Sequence, residues 1–196
     1  MSTQISLIEQ AVNHKIIKSK LPDSATVVES LLELEKHLKK KKKDCSLSDL
    51  IGCWNLRFIT GTKKARDKAG IVLGAGKYIP RLIKIQITYE NDQQLTLDTG
   101  RVNNSVILGF VKLSLTGPVK FISPKRILVF DFTYLSLTIF GLGIYNGYIK
   151  NGLEKEAKFY QTAIKDQAFF SYFLIENNLI AARGKGGGLA VWSRQE

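Results

Sequence analysis

Histidine is the side chain most often used to move protons near neutral pH, and this chain has two, His14 and His37. Both fall in a stretch of helical periodicity, on or beside polar positions, with no nucleophile or second ligand next to them in sequence. They read as surface residues rather than as a general base or a metal ligand set. Cys45 and Cys53 are the only cysteines, and no C-x-x-C or Cys/His cluster accompanies them. That leaves no basis for a zinc or iron site or for a disulfide scaffold, and makes a reducing compartment the simpler expectation. Asp131 is the one carboxylate inside an apolar strand. Burial can tune such a group, but no second acid or base partners it, and pairing with a cation or facing solvent accounts for it. The glycine-rich pieces fail as phosphate loops. Gly76 and Lys77 are followed by Tyr78, and Ile71 stands where a P-loop has its first glycine. The run Gly184, Lys185, Gly186, Gly187, Gly188 ends on Leu189 instead of the last glycine of a dinucleotide fingerprint, and it joins two strand-like runs as a hairpin. The expectation is a protein with no catalytic constellation, no metal and no cofactor.

The elements around these residues divide near residue 50. Before it the period is helical: Ile5, Ile8, Val12 and Ile16 recur at three- and four-residue spacing, with Ser6 and Glu9 as a possible capping box. Pro22 interrupts, and a second helix is predicted from Thr26, paired with Glu29 in another capping box. Its narrow stripe of Val27, Val28, Leu31 and Leu38, with Glu35 on the wet side, ends in the lysine run 39–43. Cations suit the dipole of a helix C-terminus, and a solvated helix end explains that run better than a nucleic-acid tail does.

After residue 50 the period is two. Strand-like runs cover Trp54–Ile59, Leu82–Tyr89, Leu95–Leu97, Val106–Leu115, Val119–Ile122, Ile127–Phe140, Phe169–Ile175, Leu179–Ala182 and Leu189–Trp192. Turns are expected at 90–92, 99–100, 117–118, 123–124, 176–178 and 184–188. Short strands with tight turns imply a mainly β fold, an antiparallel meander closing into a barrel or sandwich. From Phe132 to Ile149 there is no charged residue, nearly the length of a membrane-spanning helix. Its β-branched residues, aromatics and three glycines (141, 143, 147) suit sheet with a bend instead. The run from Ile127 is apolar on both faces, so both must be covered. Two readings stand: a filled core, which this run alone favours, or a barrel with room for one small ligand. In the second, Phe58, Phe130, Phe132 and Tyr134 are the candidate cavity residues.

Leu50, Gly52, Trp54 and Leu56 reproduce the spacing Leu-x-Gly-x-Trp-x-Leu, which resembles the opening of the fibrillin, or plastid-lipid-associated, domain and the Gly-x-Trp of lipocalins. The segment Leu179 to Gly184 and Leu189 to Trp192 resembles that domain's closing hairpin, with Arg183-Gly184 before the last strand. With the helical preface, the likeness spans nearly the whole chain, although the middle carries no matching motif. The resemblance implies a lipocalin-like β-barrel over 50–196, preceded by N-terminal α-helices over 1–49 packed on it. It further implies that Trp54 plugs the closed end and that Arg183 stacks on it as a cation–π partner. It implies binding of prenyl lipids, carotenoids or quinones, and peripheral association with thylakoid membrane or lipid globules. A cyanobacterial-type member fits the opening residues 1–6, which show neither a secretory signal nor, with Glu9 and no Arg, a transit peptide. The expected location is cytoplasmic.

Charge agrees with an anionic partner. The net charge is +12; residues 1–50 hold nine basic and seven acidic side chains, and 51–196 hold twenty and ten. Lys63, Lys64, Arg66 and Lys68 follow the first strand and would lie in a loop beside the barrel mouth, with Lys77 and Arg81 flanking the next strand. Each such charge contributes about 1 kcal/mol against an anionic bilayer; a solvated loop is the competing reading. Two rivals remain. One is a bilin lyase, since lipocalin-like barrels also load tetrapyrroles. The other is a nucleic-acid binder, disfavoured because basic and aromatic residues are not interleaved.

Overall fold

The computed structural model describes residues 2–13, 21–38, 44–61, 76–92 and 98–195. Two helices, α1 (Ser2–Val12) and α2 (Ser24–Leu38), precede the strands β1 (Gly52–Ile59), β2 (Lys77–Tyr78), β3 (Ile83–Asn91), β4 (Thr99–Leu108), β5 (Val111–Ile122), β6 (Ile127–Phe130), β7 (Tyr134–Ile139) and β8 (Leu142–Tyr148). A short helix α3 (Gly152–Lys158) follows, then β9 (Ala168–Ile175), β10 (Leu179–Gly184) and β11 (Leu189–Arg194). Antiparallel pairing runs β1-β3-β4-β5-β6-β9-β10-β11 and returns to β1, an eight-stranded closed barrel of the lipocalin-like kind. Closure leaves the ring without a free edge.

Side chains alternate between the two sides of the wall. The inner set holds Trp54, Ile87, Tyr89, Val102, Val119, Phe121, Leu128, Tyr172, Ile180, Ala182 and Trp192, all buried. The outer set holds Phe58, Phe173, Leu174, Ala181, Leu189 and Val191, covered by Ile8, Ala11 and Val12 of α1 and Val27, Val28, Leu31 and Leu34 of α2. Bulges at Arg57 and Phe173 switch the parity, so that Leu56 pairs with Trp192 inside while Phe58 pairs with Val191 outside.

Several local expectations change. The second helix starts two residues earlier than Thr26, at Ser24, because the Asp23 carboxylate accepts from the Ala25 and Thr26 amides (2.9 and 3.3 Å). Ser6 lies inside α1 and caps nothing. The run Val106–Leu115 is two strands turning at Gly109 and Phe110, where Gly109 adopts φ +56°. The expected turns at 99–100 and 117–118 lie within β4 and β5. The run Ile127–Phe140 is β6 and β7, separated at 131–133. The charge-free stretch is the β7–β8 hairpin, turning at Phe140 and Gly141. Ile16, Leu95–Leu97, His14 and the lysine run 39–43 lie outside the described residues.

The break at 131–133 decides where β7 goes. The first half of β5 pairs with β7 on the side where its second half pairs with β6. The crossing backbone comes so close that a Cβ on Gly117 would sit 1.9 Å from the Asp131 carbonyl oxygen. Only glycine fits there. The Asp131 and Thr133 amides still find partners in the Pro118 and Thr116 carbonyls (3.3 and 2.9 Å). Thus β7 and β8 leave the ring, and with the outer parts of β3, β4 and β5 they form a five-stranded arm. Glu156 of α3 buttresses the branch, accepting from Arg101 (2.7 Å) and from the Thr133 hydroxyl (2.6 Å). Burial pushes its carboxyl up, but those two hydrogen bonds and the Arg101 charge outweigh burial and hold it below the usual carboxylate range.

Candidate functional site

One end of the barrel is built on Trp54, which is fully buried. Its indole N–H donates to the Leu50 carbonyl (2.7 Å), and the Arg194 guanidinium lies 4.0 Å above the ring. Arg194 also donates to the Ile51 carbonyl (2.9 Å) and packs where a Cβ on Gly52 would stand, at φ +121° and 2.6 Å from Nη1. Gly52, Trp54 and Arg194 therefore form one unit, with Trp54 and Arg194 directly paired across β1 and β11.

Arg183, the expected cation, is elsewhere. It pairs with Leu189 on the outer face, where Nε donates to Glu35 Oε1 (2.8 Å), Nη2 reaches Oε2, and Nη1 donates to the Gly187 carbonyl (2.6 Å). The cause is strand parity. Trp192 and Arg194 share the inward face, whereas Arg183 follows the inward Ala182 and so points out. Glu35, expected on the wet side of α2, is buried by this contact.

Inside, near Trp54, Tyr89 and Tyr172 are buried and their hydroxyls meet at 2.7 Å. Burial pushes both phenols well above their ordinary range. Toward the other end packing loosens around an aromatic cluster. Phe130 lies 4.9 Å from Phe170 and 5.3 Å from Phe132, and Phe170 lies 5.5 Å from Trp192 (ring centroids). Phe132, Phe170, Leu56 and Ala190 here are only partly buried. Of the four expected cavity residues, then, Phe130 and Phe132 lie at this mouth. Phe58 does not: it is buried on the outer face beneath the helices, edge-on to Tyr78 at 5.1 Å. Tyr134 does not either, standing beside Tyr148 (5.2 Å) on the far face of the arm.

The arm starts at this mouth, and register defines its two faces, because directly paired residues point the same way. One face carries the rows Ile83, Leu108, Val111, Ile139, Leu142, then Ile85, Val106, Leu113, Leu137, Tyr145, then Ile87, Asn104, Leu115, Leu135. It continues the lumen wall, since the next row holds Tyr89 and Val102. The other face carries Lys84, Ile107, Lys112, Thr138, then Gln86, Ser105, Ser114, Ser136, Asn146, then Thr88, Asn103, Thr116, Tyr134. The apolar face is open: Val106, Leu108, Leu113, Leu142 and Tyr145 are exposed. A sheet face of this composition is ordinarily covered.

A separate open groove of about 1260 Å³ runs outside the barrel between α1 and β1, lined by Ile5, Val12, Arg57, Tyr78 and Lys84 among others. It mixes charge with apolar surface and shares Ile83 and Ile85 with the arm. Lys77 and Arg81, near the mouth, are exposed; Lys63, Lys64, Arg66 and Lys68 lie outside the described residues. His37 is exposed at the end of α2. Among the described residues no group of His, Cys, Asp and Glu could hold a metal ion, and no helix is long and apolar enough to cross a membrane. Sequence reading missed Arg194 and the two-faced arm. Parity counting back from Trp192 would have found the first.

Fold and surface together define a closed β-barrel with an open apolar sheet arm at its mouth. No family model matches the chain, and no curated protein matches it.

Proposed function

We propose that this protein binds hydrophobic small molecules without catalysis and works peripherally at a lipid surface. The observation that carries the reading is the apolar arm face, interrupted by Asn104, that runs outward from the aromatic mouth. It gives an apolar ligand a wall of Leu113, Leu115, Leu135 and Leu137, with Phe132 and Phe170 at its base. Such sites are mostly apolar and orient their ligand with few polar groups. The resemblance of Leu50–Leu56 and of the closing hairpin to the fibrillin domain supports prenyl lipids, carotenoids or quinones as the ligand class, and thylakoid membrane or lipid globules as the place. The net charge of +12 favours an anionic surface over a neutral one.

The test is a titration with decyl-plastoquinone, following quenching of the two tryptophans. Trp192 touches the mouth cluster, so saturable quenching is expected, weakened at least tenfold by Leu113→Gln with Leu137→Gln. Mass spectrometry of organic extracts of the protein taken from its native membranes should identify the natural occupant. Absence of saturable quenching and of any co-purifying apolar molecule would sink the reading.

A further inference from the structure

The far end of the arm has features that ligand binding does not require. The turn of the β4–β5 hairpin and that of the β7–β8 hairpin end side by side. The Phe140 amide donates to the Phe110 carbonyl (3.0 Å), and the two rings stack at 3.9 Å, within 7° of parallel. The tip is therefore one coupled unit instead of two independent loops. Its side chains are among the most exposed apolar groups described: Leu108 at 56%, Phe110 at 57%, Phe140 at 71% and Leu142 at 69%. A Cβ placed on Gly109, Gly141 or Gly143 would meet nothing within 4 Å, so among the described residues nothing packs against the tip at these glycines.

Charge around the tip has one sign. Residues 81–88, 103–116 and 134–149 contain no acidic side chain, and their only charges are Arg81, Lys84 and Lys112. Lys84 and Lys112 flank Ile107 in one cross-strand row, one residue step behind the row of Leu108. That step is about 3.3 Å along a strand. The arrangement is an apolar cap with cations just behind it, and tyrosines 145 and 148 along the edge strand. Amphipathic elements that lie in the headgroup region combine these same parts: aromatic and aliphatic groups at the acyl boundary, cations at the phosphates.

We propose that the paired hairpin tips are the membrane-docking device, with Leu108, Phe110, Phe140 and Leu142 entering the boundary of an anionic bilayer and Lys84 and Lys112 meeting its phosphates. This rests on the reading of the protein as one that works at a lipid surface, and it names a contact distinct from the docking residues expected at 63–68. An anionic bilayer is favoured over a second copy of the chain because two such tips would bring like charges together. A bound tip also holds the apolar arm face against the lipid, giving a ligand a path from bilayer to mouth.

Co-sedimentation with vesicles of phosphatidylcholine and phosphatidylglycerol, three to one, tests this. The variant Phe110→Ser with Phe140→Ser is expected to bind at least tenfold more weakly at low and high salt. Lys84→Gln with Lys112→Gln should weaken binding at low salt only. The single variant Phe140→Trp should shift its emission to the blue on these vesicles and be quenched by bromine-labelled acyl chains. Serine variants that bind like the parent, a Phe140→Trp emission that stays solvent-like on bound vesicles, or a parent that does not bind would each overturn the proposal. So would a parent that forms dimers lost in the serine variant while vesicles bind neither. Quinone quenching without vesicles should be equal in parent and serine variant, so failure of the ligand reading appears there alone.

Discussion

Strands β3, β4 and β5 each pass through two environments, and the contrast between them separates the packed core from the surface proposed to bind. In the barrel, their inward side chains meet the opposite wall, and the ring has no edge. A few residues along the same strands, the inward row continues as Ile85, Val106 and Leu113 with no wall opposite. The hydrophobic pattern is the same in both halves, so pattern alone does not say whether a face is buried. Topology does, and topology turns at Gly117. Stability is expected to reside in the barrel and binding in the arm.

The largest effect that contrast predicts is in the barrel plug. Trp54→Ala should cost about 3–5 kcal/mol in urea unfolding, as truncation of a fully buried aromatic. Arg194→Ala should cost less and couple to Trp54 by about 1 kcal/mol in a double-mutant cycle. Arg183→Ala should add to Trp54→Ala without coupling, to within about 0.5 kcal/mol, since the two face opposite sides of the wall. A cycle in which Arg183 couples and Arg194 does not would reverse the assignment.

Next comes the clamp of α2. Glu35→Ala leaves the Arg183 guanidinium partly buried without its carboxylate, and should cost about 1–3 kcal/mol. Limited proteolysis should then cut α2 before the barrel. Replacing both residues with leucine should recover part of the loss.

Smaller still is the buttress of the branch. Because the Glu156 carboxyl is held below its ordinary value of about 4.3, its contribution is present above that pH and is lost as pH falls through the depressed value. Acid titration of stability should show a limb below about pH 4.3, and Glu156→Gln should flatten it, with a neutral-pH cost under about 1 kcal/mol. The smallest effect is at the tip: the double serine variant should melt with stability unchanged within about 0.5 kcal/mol, as exposed substitutions do. A large loss would mean that the tip is part of the folding core.

How much of this could be read from residues alone follows the same division. Period two and turn residues were enough for a mainly β fold with helices before it; the lipocalin-like barrel and a plug role for Trp54 were implied by the resemblance of Leu50, Gly52, Trp54 and Leu56 to the fibrillin opening. The plug's cation was misassigned because an Arg-Gly pair is a local signal, whereas stacking on Trp54 depends on parity along β11. The runs 106–115 and 127–140 looked continuous because their breaks carry little turn chemistry. Gly109 is flanked by Leu108 and Phe110, and the segment 131–133 satisfies its amides on the crossing strand instead of in a tight turn. With those breaks hidden, an arm could not be told from a barrel wall, and Tyr134 and Phe58 were counted on the wrong faces.

The pairing of β1 with β11 has a consequence for how the protein is made. Arg194 and the Ile51 carbonyl it holds stand 143 positions apart in the chain. Synthesis runs from the N-terminus, so Trp54 emerges long before its cation. Until β11 leaves the ribosome the other ring strands can form only an open sheet, with β1 and β10 as bare edges. Long-range closure of this kind is slow, and open edges invite pairing with other chains. The nascent chain should therefore be a client of holding chaperones until β11 is made, and truncation just before Leu189 should raise the aggregated fraction of the product.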